Sequence, residues 1–431
     1  MKKSRYNYAV LNNNGQYLLF NTGNHALVEL DSTCYQSYLS DNLSPDISDT
    51  LSDMGFLVHD DVDELNQLRT IRDNYCQYYP QMNLTIMTTE KCNFRCPYCY
   101  QQHEPRDLSS EATEALCIFL MNTARHQANS VNIHWFGGEP LLNLDPILRI
   151  EHLLKENHFT GKSYLTTNGY LLTDDILDCL QNETRIRSFQ ITLDGLPDQH
   201  NKTRVHISGR PTYEKICHNI VHSVEKGFFV TIRLNLNKKN ANLDPFFESL
   251  ERLHLDKTKY AVHINNTNQF DASDKIDNFY YETAEEYSKA YNHVQEAFIR
   301  ANYSFPRNYT KKVGCKFECN NTFLVGCDLS LYFCTSCELD SFYKQGYIAP
   351  NGSLCLNENY KKRKNLSVFD DEECRQCIVL PMCMGGCALK RIQGEKFCIP
   401  ERFILDEYII RLYEEAEKAQ NKPDKGEESL C

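Results

Sequence analysis

The chain is most tightly constrained by the decapeptide Lys91-Cys92-Asn93-Phe94-Arg95-Cys96-Pro97-Tyr98-Cys99-Tyr100. It sets three cysteines at C-x3-C-x2-C spacing directly after the apolar run Leu84-Thr85-Ile86-Met87. Three thiolates on one short loop hold three corners of a cube-shaped iron–sulfur cluster, whose usual complement is four cysteines. No fourth cysteine lies close to the loop in sequence, so one iron of such a cluster stays open to an exogenous ligand. An open iron points to chemistry, whereas a closed cluster more often serves electron transfer.

The compartment follows from what the chain lacks. No apolar run reaches transmembrane length, and Met1-Lys2-Lys3-Ser4-Arg5 leads into polar, alternating sequence rather than a signal-peptide core. A cytoplasmic protein is expected, and in that compartment structural disulfides are disfavoured. Yet the 431 residues include 20 cysteines. Six are scattered singly (Cys34, Cys76, Cys117, Cys179, Cys217 and Cys431), and small buried apolar side chains account for them. Eleven fall between Cys315 and Cys398, a density that reads as metal or cluster ligation. A zinc ribbon is the competing account of any C-x2-C pair among them. The formal net charge of −12 argues against a nucleic-acid partner, because phosphate binding needs a basic face. The one dense basic run, Lys361-Lys362-Arg363-Lys364, reads as a solvated loop. No membrane partner is expected either.

Residues 1–80 read as a small separate unit. Tyr6–Leu11 and Tyr17–Asn21 alternate about the turn Asn12-Asn13-Asn14-Gly15, a hairpin signal, and Ala26–Leu30 adds a strand. Helical stretches follow at Thr33–Leu39 and Asp46–Met54, then a short strand at Gly55–Val58. This α+β pattern is similar to a winged-helix domain that captures leader peptides by strand addition; a plain cap on the next domain is the alternative. Residues 81–305 alternate strands and helices. The strands are Leu84–Thr88, Val131–Phe136, Ser163–Thr167, Ser188–Leu193, Phe229–Leu236 and Ala261–Asn265. The helices are Ser110–Thr123, Pro146–Glu156, Asp174–Leu180, Tyr213–Glu225, Pro245–Leu253 and Ala284–Arg300. Six β/α units in a row imply a parallel α/β sheet, either a partial barrel or an open doubly wound one. In a barrel, reactive groups gather at the C-terminal strand ends, and the cysteine loop follows the first strand.

Other punctuation falls at that same end. Phe136-Gly137-Gly138-Glu139-Pro140 follows the second strand, Thr166-Thr167-Asn168-Gly169 the third, and Thr192-Leu193-Asp194-Gly195 the fourth. Paired glycines let a backbone approach a ligand, Glu139 suits an ammonium, and Arg204 suits a carboxylate. Beyond Lys311 the rhythm stops and cysteines take over, ending in Cys374-x2-Cys377-x5-Cys383-x3-Cys387-x10-Cys398. Residues 306–402 form this cysteine-rich region. A charged helix, Arg402–Gln420, and a polar tail occupy 403–431.

C-x3-C-x2-C after a first strand, with Gly-Gly-Glu-Pro ending the second, resembles the radical SAM enzymes. The run from Cys374 to Cys398 resembles their SPASM extension, and together the two likenesses cover roughly residues 83 to 400. The resemblance implies a partial (β/α)6 TIM-like barrel, with the winged-helix-like unit before it and the SPASM domain after it. It implies a [4Fe–4S] cluster on Cys92, Cys96 and Cys99 whose open iron chelates S-adenosylmethionine, with two further auxiliary clusters. The reduced cluster cleaves the sulfonium to a 5′-deoxyadenosyl radical, fed by an electron donor such as ferredoxin or flavodoxin. Gly137, Gly138 and Glu139 are implied to contact the methionyl moiety, and Thr192 and Arg204 its methionyl and ribose portion. Asn168 and Asp194 belong to strand-end motifs of the family. Tyr98 and Tyr100 are implied to shield the cluster and flank the adenine.

In the tail the family pattern places Cys374, Cys377, Cys383 and Cys398 on one auxiliary cluster. Cys387 crosses to the other, joined by Cys334 and Cys337, with Cys327 a further option. The family's hairpin cysteine lies five residues after a glycine, but five after Gly352 stands Asn357. Cys355, three after it, faces the same side of a strand and is the expected substitute; an open iron is the alternative. Cys315 and Cys319 receive no role.

Three functions compete. A peptide maturase would install a thioether, a carbon–carbon crosslink or an epimerised centre in a ribosomally made precursor bearing a leader. A sulfatase-maturating enzyme would make formylglycine. Those enzymes begin close to their cluster loop and follow the hairpin cysteine with a catalytic Asp, where this chain offers Glu358. A non-catalytic peptide-binding protein with relic clusters would show a broken loop, and this loop is intact.

Overall fold

Ten strands share one sheet in a computed structural model that describes residues 1–79, 81–123, 130–266, 278–305 and 314–420. In spatial order they are Tyr260–Asn266, Phe229–Leu236, Ile186–Thr192, Ser163–Thr167, Val131–Phe136, Met82–Met87, Thr322–Val325, Ser330–Tyr332, Lys344–Ile348 and Leu354–Leu356. The first seven run parallel; the last three add as an antiparallel meander. The sheet stays open, so the α/β architecture is a partial barrel. The polar sequence after residue 420 lies outside the described residues.

The helices form where the 3.6-residue pattern and caps agree. Thr173 accepts from the Ile176 amide to start Asp174–Glu183, and Thr283 accepts from Glu286 to start Ala284–Arg300. They cover one sheet face, onto which Ile133, Trp135, Leu165, Ile191, Ile232 and Leu234 point, all fully buried. The opposite face is half-exposed and polar, carrying His134, Thr166, Gln190, Arg233 and His263. A sheet covered on both sides reads as continuous apolar strands; here the alternation leaves one face as a cleft.

Expected and observed elements agree closely over the six β/α units. The basic run Lys361–Lys364, expected as a solvated loop, instead lies in the helix Glu358–Lys364 with Arg363 buried against the core. Ahead of the tail, two helices differ from expectation. Pro197–Thr203 follows the fourth strand, and Glu64–Gln77 ends the N-terminal unit. Both are polar over most of their length, so hydrophobic period does not mark them. The tail also contributes to the main sheet. Thr322–Val325 pairs in parallel with Met82–Met87, the strand that feeds the cysteine loop.

The N-terminal unit has a three-stranded antiparallel sheet, Asn7–Leu11, Tyr17–Asn21 and Leu27–Leu30, with helices Ser32–Leu39, Pro45–Asp53 and Glu64–Gln77. Asn12 builds the hairpin by accepting from the amides of Asn14 and Gln16, at 3.0 and 2.9 Å. The unit is not a free-standing bead. Leu18 and Phe20 share a buried cluster with Val379, Met382, Tyr408 and Ile409 of the tail. Tyr6 and Leu68 share another with Phe369 and Leu380.

Candidate functional site

The cysteine loop is held from two sides. Arg95 N–H donates to the Val205 carbonyl at 2.7 Å and Ile207 N–H to the Asn93 carbonyl at 2.9 Å, a short antiparallel clasp with Phe94 opposite His206. From the other side, Gly138 N–H donates to the Thr89 carbonyl at 2.9 Å and Glu139 N–H to that of Lys91 at 2.8 Å. A Cβ on Gly137 would lie 2.3 Å from the Thr89 oxygen, and one on Gly138 2.2 Å from the Lys91 oxygen. These glycines therefore let the second strand end press against the base of the loop. The close approach is backbone to backbone.

Glu139 is fully buried. Its carboxylate accepts from Thr167 Oγ1 and the Asn168 amide, both at 2.7 Å, and from the Leu141 amide at 3.2 Å. Burial raises its pKa, and the Asn168, Thr167 and Leu141 donors pull it back. Asn168 in turn donates from Nδ2 to Asn93 in the cysteine loop at 2.7 Å. The second and third strand-end motifs are thus tied into one network with the loop.

The loop's far side rests on Tyr98, Asp194 and Arg204. Tyr98 donates its hydroxyl to Asp194, and Asn235 Nδ2 and Arg204 Nη1 reach that hydroxyl at 3.2 and 3.4 Å. Asp194 also accepts from the Asn235 amide at 3.1 Å, while its own amide donates to His200 Nδ1 at 3.2 Å. Arg204 stands 5.4 Å over the Phe94 ring. Burial works against its charge, but neighbouring Cys96, Tyr98 and Asp194 keep the guanidinium firmly cationic. The helix Pro197–Thr203 delivers Arg204 to this point. Thr192, at the end of its strand, lies opposite Arg233 in register.

Residues that motif reading missed line the cleft. His134 hydrogen-bonds Thr166 at 2.7 Å and stacks on Tyr164 at 4.3 Å. Arg233 holds Asn235 at 2.9 Å, and no carboxylate pairs with it among the described residues' ion pairs. The available signal was polar residues at alternate positions of otherwise apolar strands, as in Val131-Asn132-Ile133-His134 and Ile232-Arg233-Leu234-Asn235.

The tail cysteines fall into groups. Cys374, Cys377, Cys383 and Cys398 neighbour one another; burial and the adjacent thiols push Cys374 up to about 11, and Arg402 donates to Cys398 Sγ at 3.0 Å. Cys327, Cys334 and Cys337 share a second buried cluster with Phe317, Phe333 and Leu389, against which the partly buried Cys315 and Cys387 pack. Cys355 stands apart from both, across the hairpin from Tyr347. A cavity of about 160 Å³ separates the second group from the cysteine loop. Tyr100 and His103 line it on one side, and Thr335, Cys337 and Asp340 on the other.

The cysteine loop fits a cluster and its ligand. Burial pushes the Cys92 and Cys96 thiols up to about 11 and raises Cys99, each thiol lying near another of the three. Arg204 Nε and His263 Nδ1 are buried polar atoms without a hydrogen-bond partner beside the same cleft, as a polar ligand requires. Among the described residues no three His, Cys, Asp or Glu side chains converge as they would around one metal ion.

Residues 86–252 match the Radical SAM superfamily. No curated protein sequence matches the chain. Among solved structures the fold is similar to anSMEcpe with bound AdoMet and Cp18Cys peptide, at TM-score 0.61 and 17% identity, over 79% of this chain and 98% of that one. It is also similar to SuiB of Streptococcus suis bound to S-adenosylmethionine, at TM-score 0.55 and 17% identity, over 93% of this chain and 98% of that one. SuiB bound to the precursor peptide SuiA gives TM-score 0.52 at 15% identity, over the same shares. The chain therefore carries a radical SAM domain, and with it the cofactors of that superfamily, a [4Fe–4S] cluster and S-adenosylmethionine.

Proposed function

We propose that this protein is a radical S-adenosylmethionine peptide maturase that modifies a ribosomally synthesised precursor peptide, by a thioether, a carbon–carbon crosslink or a related change. The observation that carries the reading is the cavity between Tyr100 of the cysteine loop and Cys337 of the tail. A peptide side chain placed there touches the surroundings of both cysteine groups at once. The SuiB likeness, which spans 93% of this chain and includes a structure bound to precursor peptide, supports it.

When bound, the cluster and S-adenosylmethionine supply a primary carbon radical able to abstract hydrogen from an unactivated position. The protein's own part is to bind, orient and keep water out. Cys92, Cys96 and Cys99 hold the cluster, and Arg204 beside Cys96 offsets its negative charge. Glu139, aimed by Thr167 and Asn168, orients the cofactor's ammonium; Asp194 fixes Tyr98 beneath the loop. Arg233, with no partner carboxylate among the described ion pairs, offers a site for an anionic group in the cleft. The N-terminal sheet receives the leader by strand addition, and a ferredoxin or flavodoxin supplies the electron.

A sulfatase-maturating reaction finds less support. Its acid after the hairpin would fall to Glu358, which is exposed and paired with Lys361 on the surface. The test is anaerobic reconstitution with iron and sulfide, followed by reductant and S-adenosylmethionine. 5′-Deoxyadenosine should form, and a Cys92→Ala/Cys96→Ala/Cys99→Ala variant should form none. With a short reading frame encoded beside the gene as substrate, the peptide's mass should change only when S-adenosylmethionine is present. Equal 5′-deoxyadenosine from both proteins would refute the enzymatic reading.

A further inference from the structure

We infer that Cys315 is the fourth thiolate of the tail site built from Cys334, Cys337 and Cys387, where Cys355 was the expected ligand. This rests on the reading of the tail as cluster-bearing and concerns which side chains close one of its sites.

The hairpin explains why the expected positions are out of play. Asn357 has no thiol, and it is committed as a helix cap. It accepts from the Asn359 and Tyr360 amides at 3.0 and 3.3 Å, and Nδ2 donates to the Lys344 carbonyl at 2.9 Å. Cys355 pairs opposite Tyr347, a residue 48% exposed, on the hairpin's outer side. Its neighbour Leu354 sits opposite buried Ile348, so the strand's inward face excludes the Cys355 thiol. A register shift that would turn it inward is blocked at both ends. Ala349 N–H donates to the Ser353 carbonyl at 2.9 Å and Asn357 N–H to that of Gln345 at 3.0 Å. Gly352, at φ +75°, packs so tightly on the Ser110–Thr123 helix that an added Cβ would lie 2.7 Å from the Phe119 nitrogen.

Elimination narrows the other cysteines. Cys327 turns its sulfur toward the Met87 carbonyl, at 3.5 Å, among Glu90, Asp107 and Asp328. Cys319 lies on the far side of the turn Lys316–Glu318, with its sulfur 4.0 Å from that of Cys76. Cys315, at the near side of that turn, packs with Cys387 as a partly buried side chain against the cluster that holds Cys334 and Cys337, a cluster whose other cysteine, Cys327, is the one aimed at Met87. Its thiol neighbours Cys387, and Cys334 has Cys315 as a neighbour. Backbone amides already point at two of these sulfurs: Ser336 N–H at Cys334, 3.4 Å away, and Phe317 N–H at Cys315. Hydrogen bonds of this kind tune cluster thiolates.

The experiment reconstitutes the full chain anaerobically as wild type, Cys315→Ala, Cys315→Ser, Cys355→Ala and Cys334→Ala. It reads iron and sulfide per chain and the electron paramagnetic resonance of the reduced protein. Wild type should hold three clusters, about twelve irons. Cys355→Ala should keep that iron and an unaltered spectrum. Cys315→Ala should lose about four irons, as Cys334→Ala does, or keep them with a changed spectrum. Cys315→Ser, which preserves packing, should also change the spectrum, separating ligation from misfolding. An unaltered spectrum with full iron in both Cys315 variants overturns the inference. So does iron loss in Cys355→Ala that matches Cys334→Ala. If wild type holds only one cluster and Cys334→Ala changes nothing, the tail reading itself fails, and the inference fails with it.

Discussion

Gly138 is a glycine because the carbonyl of Lys91 occupies the place where a side chain would stand. Gly138→Ala should cost about 1–3 kcal/mol in overpacking and displace the cysteine loop, with S-adenosylmethionine cleavage reduced at least tenfold. Gly209→Ala is the control. Unlike Gly138 it sits at positive φ, +72°, and a Cβ there meets nothing within 4 Å; Gly209→Ala should cost about 1 kcal/mol of strain and spare cleavage. The motif itself was legible in the sequence. What the glycines touch was not, because a turn residue near a ligand and one near another backbone look alike in a string. His200 makes a second residue-scale case. Burial, reinforced by Arg204, drops its pKa to about 3, and the ring accepts from Asp194 N–H while Tyr213 packs edge-on. The unfolded chain takes up a proton near pH 6.5 and the folded chain does not. The stability contribution is therefore whole above 6.5 and is lost as pH falls toward 3. Between pH 7.5 and 5.5 this histidine should cost about 1.4 kcal/mol. Denaturation midpoints of His200→Gln should show a correspondingly shallower pH slope than wild type.

Among the elements, the helix Glu64–Gln77 was missed although it clamps the tail. Its Arg72 is buried, lies 3.4 Å from the equally buried Glu318, and donates to the Leu366 carbonyl at 3.0 Å. Arg72→Met should leave Glu318 with Arg391 alone and lower stability by about 3 kcal/mol; urea midpoints would report it. Nothing in the local sequence announces such a role, since a buried arginine is recognisable only from a partner more than two hundred residues away. By contrast, Val131–Phe136, Phe229–Leu236 and Tyr213–Glu225 were legible to the residue. Their apolar period is set by the packed face alone. The polar face of the same strands was visible as alternation, but only the open sheet shows that it lines a cleft and not a flooded surface.

At the scale of the whole molecule, the N-terminal unit packs Leu18, Phe20, Tyr6 and Leu68 against the tail. Removing residues 1–80 should therefore lower solubility and the iron held near Cys374–Cys398, in addition to abolishing leader binding. Metal content of the truncated protein, compared with a leader-site point variant in the intact chain, separates the two losses. This contact was not legible in the sequence, because it joins segments that are each amphipathic on their own.

The pairing of Thr322–Val325 with Met82–Met87 has a consequence for exchange between relatives. The tail is stitched to Met82–Met87 by the parallel pairing of Thr322–Val325, so it behaves as an inlaid part and not as a tethered cartridge. A chimera that swaps tails after residue 326 would keep the native seam, whereas one cut before 322 would have to re-form a foreign edge. The spacing between the two cysteine groups is thus inherited with the seam.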